Sequence, residues 1–305
     1  MSKIAFVFSG QGAQCSGMGQ SLVTFSQPAA EVFSMAEDLM PGVSELCFAG
    51  TDEELRQTKA AQPAIFCVSL AAARSLEKMG VRPDMLAGFS IGEITALAFA
   101  GTFKDSDGFS IVLKRGDLMQ KAGQQSPSSM MAVLKLDAGQ VAAICKDFSQ
   151  VYPVNYNSQY QTVVAGAVGE MDALKAAVKE AGGRALPLAV SGGFHSPFME
   201  QAADEFSALL ANQHMELPQI PVYSNVTALP YEDDVLSTLS RQMTSPVLWQ
   251  KTIENMAADG AAVFVEVGPG RTLCNLIEKT LQDVRCFAVE DNDSLVKAVE
   301  ELSGC

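Results

Sequence analysis

A serine becomes a nucleophile when a sharp turn exposes its hydroxyl, and Gly88-Phe89-Ser90-Ile91-Gly92 has the sequence of such a turn. The residues before it, Val81 to Ala87, read as a short strand entered from a turn. Those after it, Gly92 to Ala100, read as the start of a buried helix. In the order strand, G-x-S-x-G, helix, the glycines permit the reversal, and the helix N-terminus aims backbone N–H groups at any oxyanion forming there. G-x-S-x-G alone recurs by chance, so the flanks carry the reading. The alternative is a glycine-rich turn with an idle serine.

A nucleophilic serine needs a base, and the chain has only two histidines. His195 stands in Ser191-Gly192-Gly193-Phe194-His195-Ser196-Pro197, directly after a predicted strand, where an α/β protein places side chains in its cleft. His214, in Asn212-Gln213-His214-Met215-Glu216, reads as an exposed residue at a helix end. His195 is therefore the candidate base. Arg115, in Lys114-Arg115-Gly116-Asp117, falls on a predicted helix from Ser106 to Gln120, where most arginines are simply solvated. Spacing alone identifies no acid to orient the histidine.

Ser9-Gly10-Gln11-Gly12-Ala13-Gln14 follows the first predicted strand, where a phosphate loop could sit. The dinucleotide fingerprint fails because Cys15 takes the third glycine position, and a Walker loop fails because Met18 replaces the lysine. A flexible loop remains, whose amides could complete an oxyanion hole or could merely turn the chain.

The elements that must position these residues come from a chain of 305 residues, 48% hydrophobic and 18% charged, with material for one large or two modest domains. The formal net charge of −14 argues against general binding to nucleic acid or anionic membranes. No apolar stretch is long enough to span a bilayer, and the run Ile4 to Phe8 is too short for a signal peptide. Seven scattered cysteines (Cys15, Cys47, Cys67, Cys145, Cys274, Cys286 and Cys305), with no C-x-x-C, point to free thiols in a reducing cytoplasm and to no structural metal.

Strand-like and helix-like runs alternate almost throughout, which predicts an α/β fold with a largely parallel sheet. Strands are predicted at Ile4–Phe8, Ile220–Ser224 and Ala261–Val267, and helices around Ala29–Leu39, Pro63–Met79, Pro197 to Leu210 and Pro246–Ala258. Between about 126 and 189 the rhythm changes. Strand Met130–Leu136, helix Ala138–Phe148, strands Val151–Tyr156 and Thr162–Ala167 around the polar loop Asn157-Ser158-Gln159, helix Glu170–Ala181 and strand Ala185–Val190 give βαββαβ. That order is ferredoxin-like. The predicted division is a catalytic subdomain of residues 1–125 and 190–305 with a small subdomain, 126–189, inserted; one continuous sheet is the alternative.

Together these pieces resemble the malonyl-CoA:acyl carrier protein transacylase family almost end to end. The likeness is carried by Gly10-Gln11-Gly12-Ala13-Gln14, the Gly88 to Glu93 elbow, Lys114-Arg115-Gly116, Asn155-Tyr156-Asn157-Ser158 and Phe194-His195-Ser196. Tyr223-Ser224-Asn225-Val226, Ser245-Pro246-Val247-Leu248-Trp249 and Glu266-Val267-Gly268-Pro269-Gly270 extend it. The resemblance implies an α/β-hydrolase-like large subdomain with a ferredoxin-like insertion. It implies Ser90 as nucleophile, His195 as general acid and base, and the Gln242 carbonyl orienting the imidazole. The N–H groups of Gln11 and Ile91 would form the oxyanion hole, and Arg115 would hold the malonyl carboxylate. Phe194, Phe89 and Asn157 would line the substrate site.

The implied partners are malonyl-CoA and a phosphopantetheinylated acyl carrier protein, with no cofactor, no nucleic acid and no membrane; a cytoplasmic monomer is expected. Carrier proteins are generally acidic and so is this chain, so docking is expected on a local basic patch. The sequence departs from the family in two places: Phe89 stands where histidine is usual, and Ser9 where proline is common. The competing functions are a serine esterase, which has no need of a buried cation, and a non-catalytic carrier-docking module, which has no need of Ser90 and His195 together.

Overall fold

The chain's computed structural model describes residues 3–302. Met1 and Ser2, at the head of the first predicted strand, and Cys305, read as a free thiol, lie outside the described residues. The strands are β1 (Lys3–Phe8), β2 (Met85–Gly88), β3 (Ser128–Leu134), β4 (Val151–Ser158), β5 (Gln161–Ala167), β6 (Arg184–Pro187), β7 (Val222–Tyr223), β8 (Ala261–Val267) and β9 (Arg285–Val289). They form two sheets, not one.

The larger sheet has the order β7-β2-β1-β8-β9, with every neighbouring pair parallel. Its central strands are apolar on both faces, as a sheet covered by helices on both sides requires. Phe6 and Phe8 of β1, with Val263, Val265 and Val267 of β8, meet the layer built on helices Gln27–Leu39 and Thr58–Lys78. Ala5 and Val7, with Phe264, face Trp249, Ile253, Met256 and Ile277 on the other side. The alternation of side chains along one strand thus feeds two cores.

The smaller sheet has the order β4-β5-β3-β6, all antiparallel, with helices Ala138–Cys145 and Met171–Glu180 packed on it. Helices and strands of this βαββαβ unit close a separate core of Met131, Val133, Val141, Val164, Leu174 and Val178. This is the ferredoxin-like arrangement. The unit touches the larger part through main-chain bonds: Tyr156 N–H donates to Val247 O, and Val247 N–H donates to Val154 O, both at 2.9 Å.

Several predicted boundaries move. β4 runs on through Asn157 and Ser158, so the expected polar loop shrinks to a turn at Gln159-Tyr160 and Asn157 becomes a buried strand residue. β6 stops at Pro187 rather than Val190, and β7 keeps only two residues. The helix expected to start at Pro63 starts at Thr58 and carries Pro63 inside it. Burial of Ala61, Ala64 and Ile65 along this segment offsets the one backbone bond that proline removes. After β8 the helix Thr272–Thr280, the edge strand β9 and the helix Asn292–Leu302 complete the fold.

Candidate active site

Ser90 sits where β2 ends and the helix Ile91–Phe99 begins, with φ 54° and ψ −105°. A non-glycine residue held at positive φ is strained, and here its surroundings dictate the strain. Ser90 N–H donates to Asn225 Oδ1 at 2.7 Å, Asn225 Nδ2 donates to Gly88 O at 2.6 Å, and Gln242 Nε2 donates to Ser90 O at 3.0 Å. The two glycines of the elbow are there for close approach. A Cβ on Gly88 would lie 1.9 Å from Gly92 C, and one on Gly92 would lie 2.2 Å from Phe8 O.

His195 comes from the segment after β6, also at positive φ (60°). Its Nδ1 lies 2.9 Å from the main-chain oxygen of Gln242, and its Nε2 lies 2.7 Å from Ser90 Oγ. A carbonyl only accepts, so the Nδ1 proton faces Gln242, and Nε2 is left as the acceptor for the Ser90 hydroxyl. Burial, and then the charge of Arg115, push the His195 pKa down from 6.5 to about 4. The imidazole is thus neutral at pH 7, the state a general base needs. His214 is far from this arrangement in character: its side chain is 89% exposed beside Glu216.

Arg115 lies at the middle of the helix Asp105–Gln125 and is fully buried. Its Nη1 donates to Gln62 Oε1 at 2.8 Å, and its Nη2 donates to Gln242 Oε1 at 2.8 Å and to Ser90 Oγ at 3.1 Å, while Nε has no partner. Burial lowers its pKa to about 10, so it keeps its charge at neutral pH. Among the described residues no carboxylate forms an ion pair with it. Arg115 is thus a buried cation in contact with the Ser90 hydroxyl.

Around Ser90 and His195 opens a cavity of about 240 Å³ whose walls include Gln11, Phe89, Asn157, Phe194 and Glu266. Of the residues expected at the site, Gln11, Phe89, Ser90, Asn157, Phe194 and His195 line this cavity; Arg115 and Gln242 lie outside its lining but bond to Ser90, and Ile91 follows Ser90 in the chain. Asn155 and Asn157 line the same cavity, and the Oδ1 atom of each is buried without a hydrogen-bond partner. The Phe89 ring packs on Trp249, with centroids 5.6 Å apart. Glu266 caps the first turn of the helix Thr272–Thr280 through Leu273 N–H and Cys274 N–H, and burial raises its pKa to about 7.

Sequence reasoning missed three contributors: Gln62, Glu93 and Asn225. Glu93 carried a signal, as the one charged side chain in the run Ile91–Phe99, whereas Gln62 shares its helix with Lys59, Ser69 and Arg74 and did not stand out. Asn225 lay inside a quoted motif, but nothing in Ser224-Asn225-Val226 says that its amide braces an elbow elsewhere in the chain.

A family model described as the acyl transferase domain matches residues 5–298. The chain is 35% identical to the malonyl CoA-acyl carrier protein transacylase of Bacillus subtilis, covering 99% of this chain and 98% of that one. It is 37% identical to the protein of the same name from Haemophilus influenzae, over 99% of each. Among solved structures, that of the malonyl CoA-acyl carrier protein transacylase from Clostridium perfringens superposes with a TM-score of 0.95 at 34% identity, covering 99% and 98% of the two chains. A malonyl-transacylase solved in complex with a type II PKS acyl-carrier protein superposes with a TM-score of 0.94 at 36% identity, over 98% and 100%.

Proposed function

The chain belongs to the acyl transferase family, in its malonyl-CoA:acyl carrier protein transacylase branch, and on that premise we propose how its own residues carry out malonyl transfer. It moves a malonyl group from CoA to the phosphopantetheine thiol of an acyl carrier protein. The observation that carries the residue assignment is the fully buried guanidinium of Arg115 set 3.1 Å from a nucleophile that also meets a neutral histidine.

Ser90 attacks the thioester carbonyl as its proton passes to His195 Nε2, and the carbonyl oxygen takes the negative charge. N–H groups of Gln11 and Ile91 hold that oxyanion, the second of them at the start of a helix, where the backbone dipole adds to the effect. The intermediate collapses, the C–S bond breaks, and His195 returns the proton to the departing sulfur. The carrier thiol then gives its proton to His195 and attacks the malonyl-serine ester, regenerating Ser90. The Gln242 carbonyl keeps the imidazole in the tautomer this requires. Arg115 turns its open donors to the malonyl carboxylate, which a planar, permanently charged fork suits. Asn157 and the neighbouring Asn155 accept from amides of the pantetheine arm. Residues 1–125 and 190–305 form the catalytic subdomain, and residues 126–189 form the inserted one. The protein works as a monomer in the cytoplasm, without nucleic acid or membrane; no helix among the described residues is long and apolar enough to cross a bilayer.

Incubation with malonyl-CoA and a phosphopantetheinylated carrier tests this reading. Loaded carrier and free CoA are expected, whereas free malonate with unloaded carrier would identify an esterase.

The depressed histidine has a pH signature. General-base catalysis by His195 requires the neutral ring, so kcat/KM should hold as pH falls below 6.5 and decline only toward about 4. Once malonyl is bound, its carboxylate offsets Arg115, and the acid limb of kcat should lie at higher pH than that of kcat/KM. Stability follows the same sign: it is fully present above 6.5 and is lost as pH falls toward about 4, because only the unfolded chain takes up the proton. Pre-steady-state acylation across this range checks the first statement; a limb near 6.5 in kcat/KM would contradict it.

Two further outcomes concern the pocket wall. Phe194 lines the cavity and Ile91 follows Ser90, so a methyl branch at the α-carbon should be disfavoured. One methyl gives only about 1–3 kcal/mol of discrimination, and carrier loaded from a mixture of malonyl-CoA and methylmalonyl-CoA should be mainly malonyl. Comparable loading would refute this. Phe89→His should change kcat/KM by roughly tenfold or less, about 1.4 kcal/mol, because it alters a wall and not the nucleophile or base. Conversion of a nearly inactive protein into an active one by this single change would mean that the natural protein is a degenerate family member.

A further inference from the structure

Glu93 lies three positions after Ser90 on the helix Ile91–Phe99, fully buried, and the mechanism above does not use it. Its neighbours all donate. Oε1 accepts from Asn225 N–H at 3.1 Å and from Tyr231 O–H at 2.6 Å, and Oε2 accepts from Gln242 Nε2 at 2.5 Å. A protonated carboxyl would turn a donor against these donors, so they fit the carboxylate. Burial pushes the Glu93 pKa up, and the same hydrogen bonds oppose the rise.

One side chain links Glu93 to the reaction centre. Gln242 Nε2 faces Glu93 and the main-chain oxygen of Ser90, Gln242 Oε1 faces Arg115 Nη2, and the Gln242 main-chain oxygen faces His195 Nδ1. Both partners on the nitrogen side only accept, and the partner on the oxygen side only donates. The amide cannot flip without setting its NH2 against the guanidinium.

We propose that Glu93 is a positioning residue: through the locked Gln242 amide it aims Arg115 at the acyl group on Ser90 and balances its charge while the site is empty. The arrangement solves a specific problem. A direct Glu93–Arg115 ion pair would occupy the donors that the malonyl carboxylate needs. An amide placed between them keeps the two buried charges attracting across a low dielectric and leaves Arg115 Nε free.

This inference rests on the malonyl-transfer reading, and its test separates the two. Glu93→Gln keeps shape but supplies a donor as well as an acceptor, which unlocks the Gln242 amide. Single-turnover acylation by malonyl-CoA should fall about 10- to 100-fold, the range of strongly coupled contacts. Acylation by acetyl-CoA should fall less. In an Arg115→Ala background the same substitution should cost less than about threefold more, because the group it positions is gone. Tyr231→Phe, which removes one donor and keeps the carboxylate, should shift the malonyl-over-acetyl preference by less than about threefold. Should Glu93→Gln fail to fold, Gln242→Met cuts the same relay while keeping the main-chain oxygen, and it should show the same non-additivity with Arg115→Ala. Additive losses, or equal losses for both acyl groups, would overturn the role of Glu93. If the unaltered protein takes no malonyl group at all, the functional reading fails instead.

Discussion

Ser90→Ala should lower malonyl transfer by roughly 10,000-fold or more while leaving the protein folded, because the ester on which the two half-reactions depend can no longer form. The elbow's strain belongs to the backbone, which Asn225 and Gln242 brace through Ser90 N–H and Ser90 O. Alanine keeps both contacts. The hydroxyl contributes only its bonds with His195 and Arg115, so the unfolding free energy should change by no more than about 1–2 kcal/mol. Malonyl transfer assays and thermal unfolding of the same preparation check the two halves. A folded Ser90→Ala protein that still loads the carrier at a comparable rate would remove Ser90 from the mechanism.

Arg115→Ala should be the next largest effect, and it is selective. Losing a charge-assisted contact to the malonyl carboxylate in a closed site should cost roughly 3 kcal/mol in kcat/KM, on the order of 100-fold. Acetyl transfer has no carboxylate to lose and should fall much less. The variant also strands Gln62 Oε1 and Gln242 Oε1, which now accept from the guanidinium, so some loss of stability accompanies it. The ratio of malonyl to acetyl rates separates this from specificity. Equal losses for the two CoA esters would make Arg115 a structural residue.

The residues proposed to perform chemistry are easier to read in the sequence than those that hold them. Ser90 and His195 stand out because glycine spacing marks an elbow, and because a chain with two histidines offers few bases. Arg115 did not stand out on its helix pattern; only its place in an ordered series of family motifs singled it out. Gln242 acts on His195 through a main-chain oxygen, which any residue type could supply, so its identity carries no signal for that contact. Its side chain matters by type, since an amide donates to the Glu93 carboxylate through its nitrogen and accepts from the Arg115 guanidinium through its oxygen. Gln62 and Asn225 brace partners more than fifty residues away, and a single sequence does not state which distant segments meet.

The fold divides in the same way. Period and length predict the βαββαβ order of the insertion, while the sheet order that places β3 between β5 and β6 comes from the structure. Edge elements were less legible: β7 has two residues, too few for a period, and β9 (Arg285-Cys286-Phe287-Ala288-Val289) alternates weakly at the sheet margin. Pro63 misled the placement of a helix start, because proline usually marks a helix's first turn and here lies beyond it, inside the helix Thr58–Lys78.

In the proposed mechanism Ser90 carries the malonyl group between the two thiols. Intact mass spectrometry after incubation with malonyl-CoA alone, with no carrier present, tests it most directly. The unaltered protein should gain one malonyl adduct, and Ser90→Ala should gain none. An adduct that persists in Ser90→Ala, or no adduct on the unaltered protein under conditions where it loads the carrier, would contradict the account.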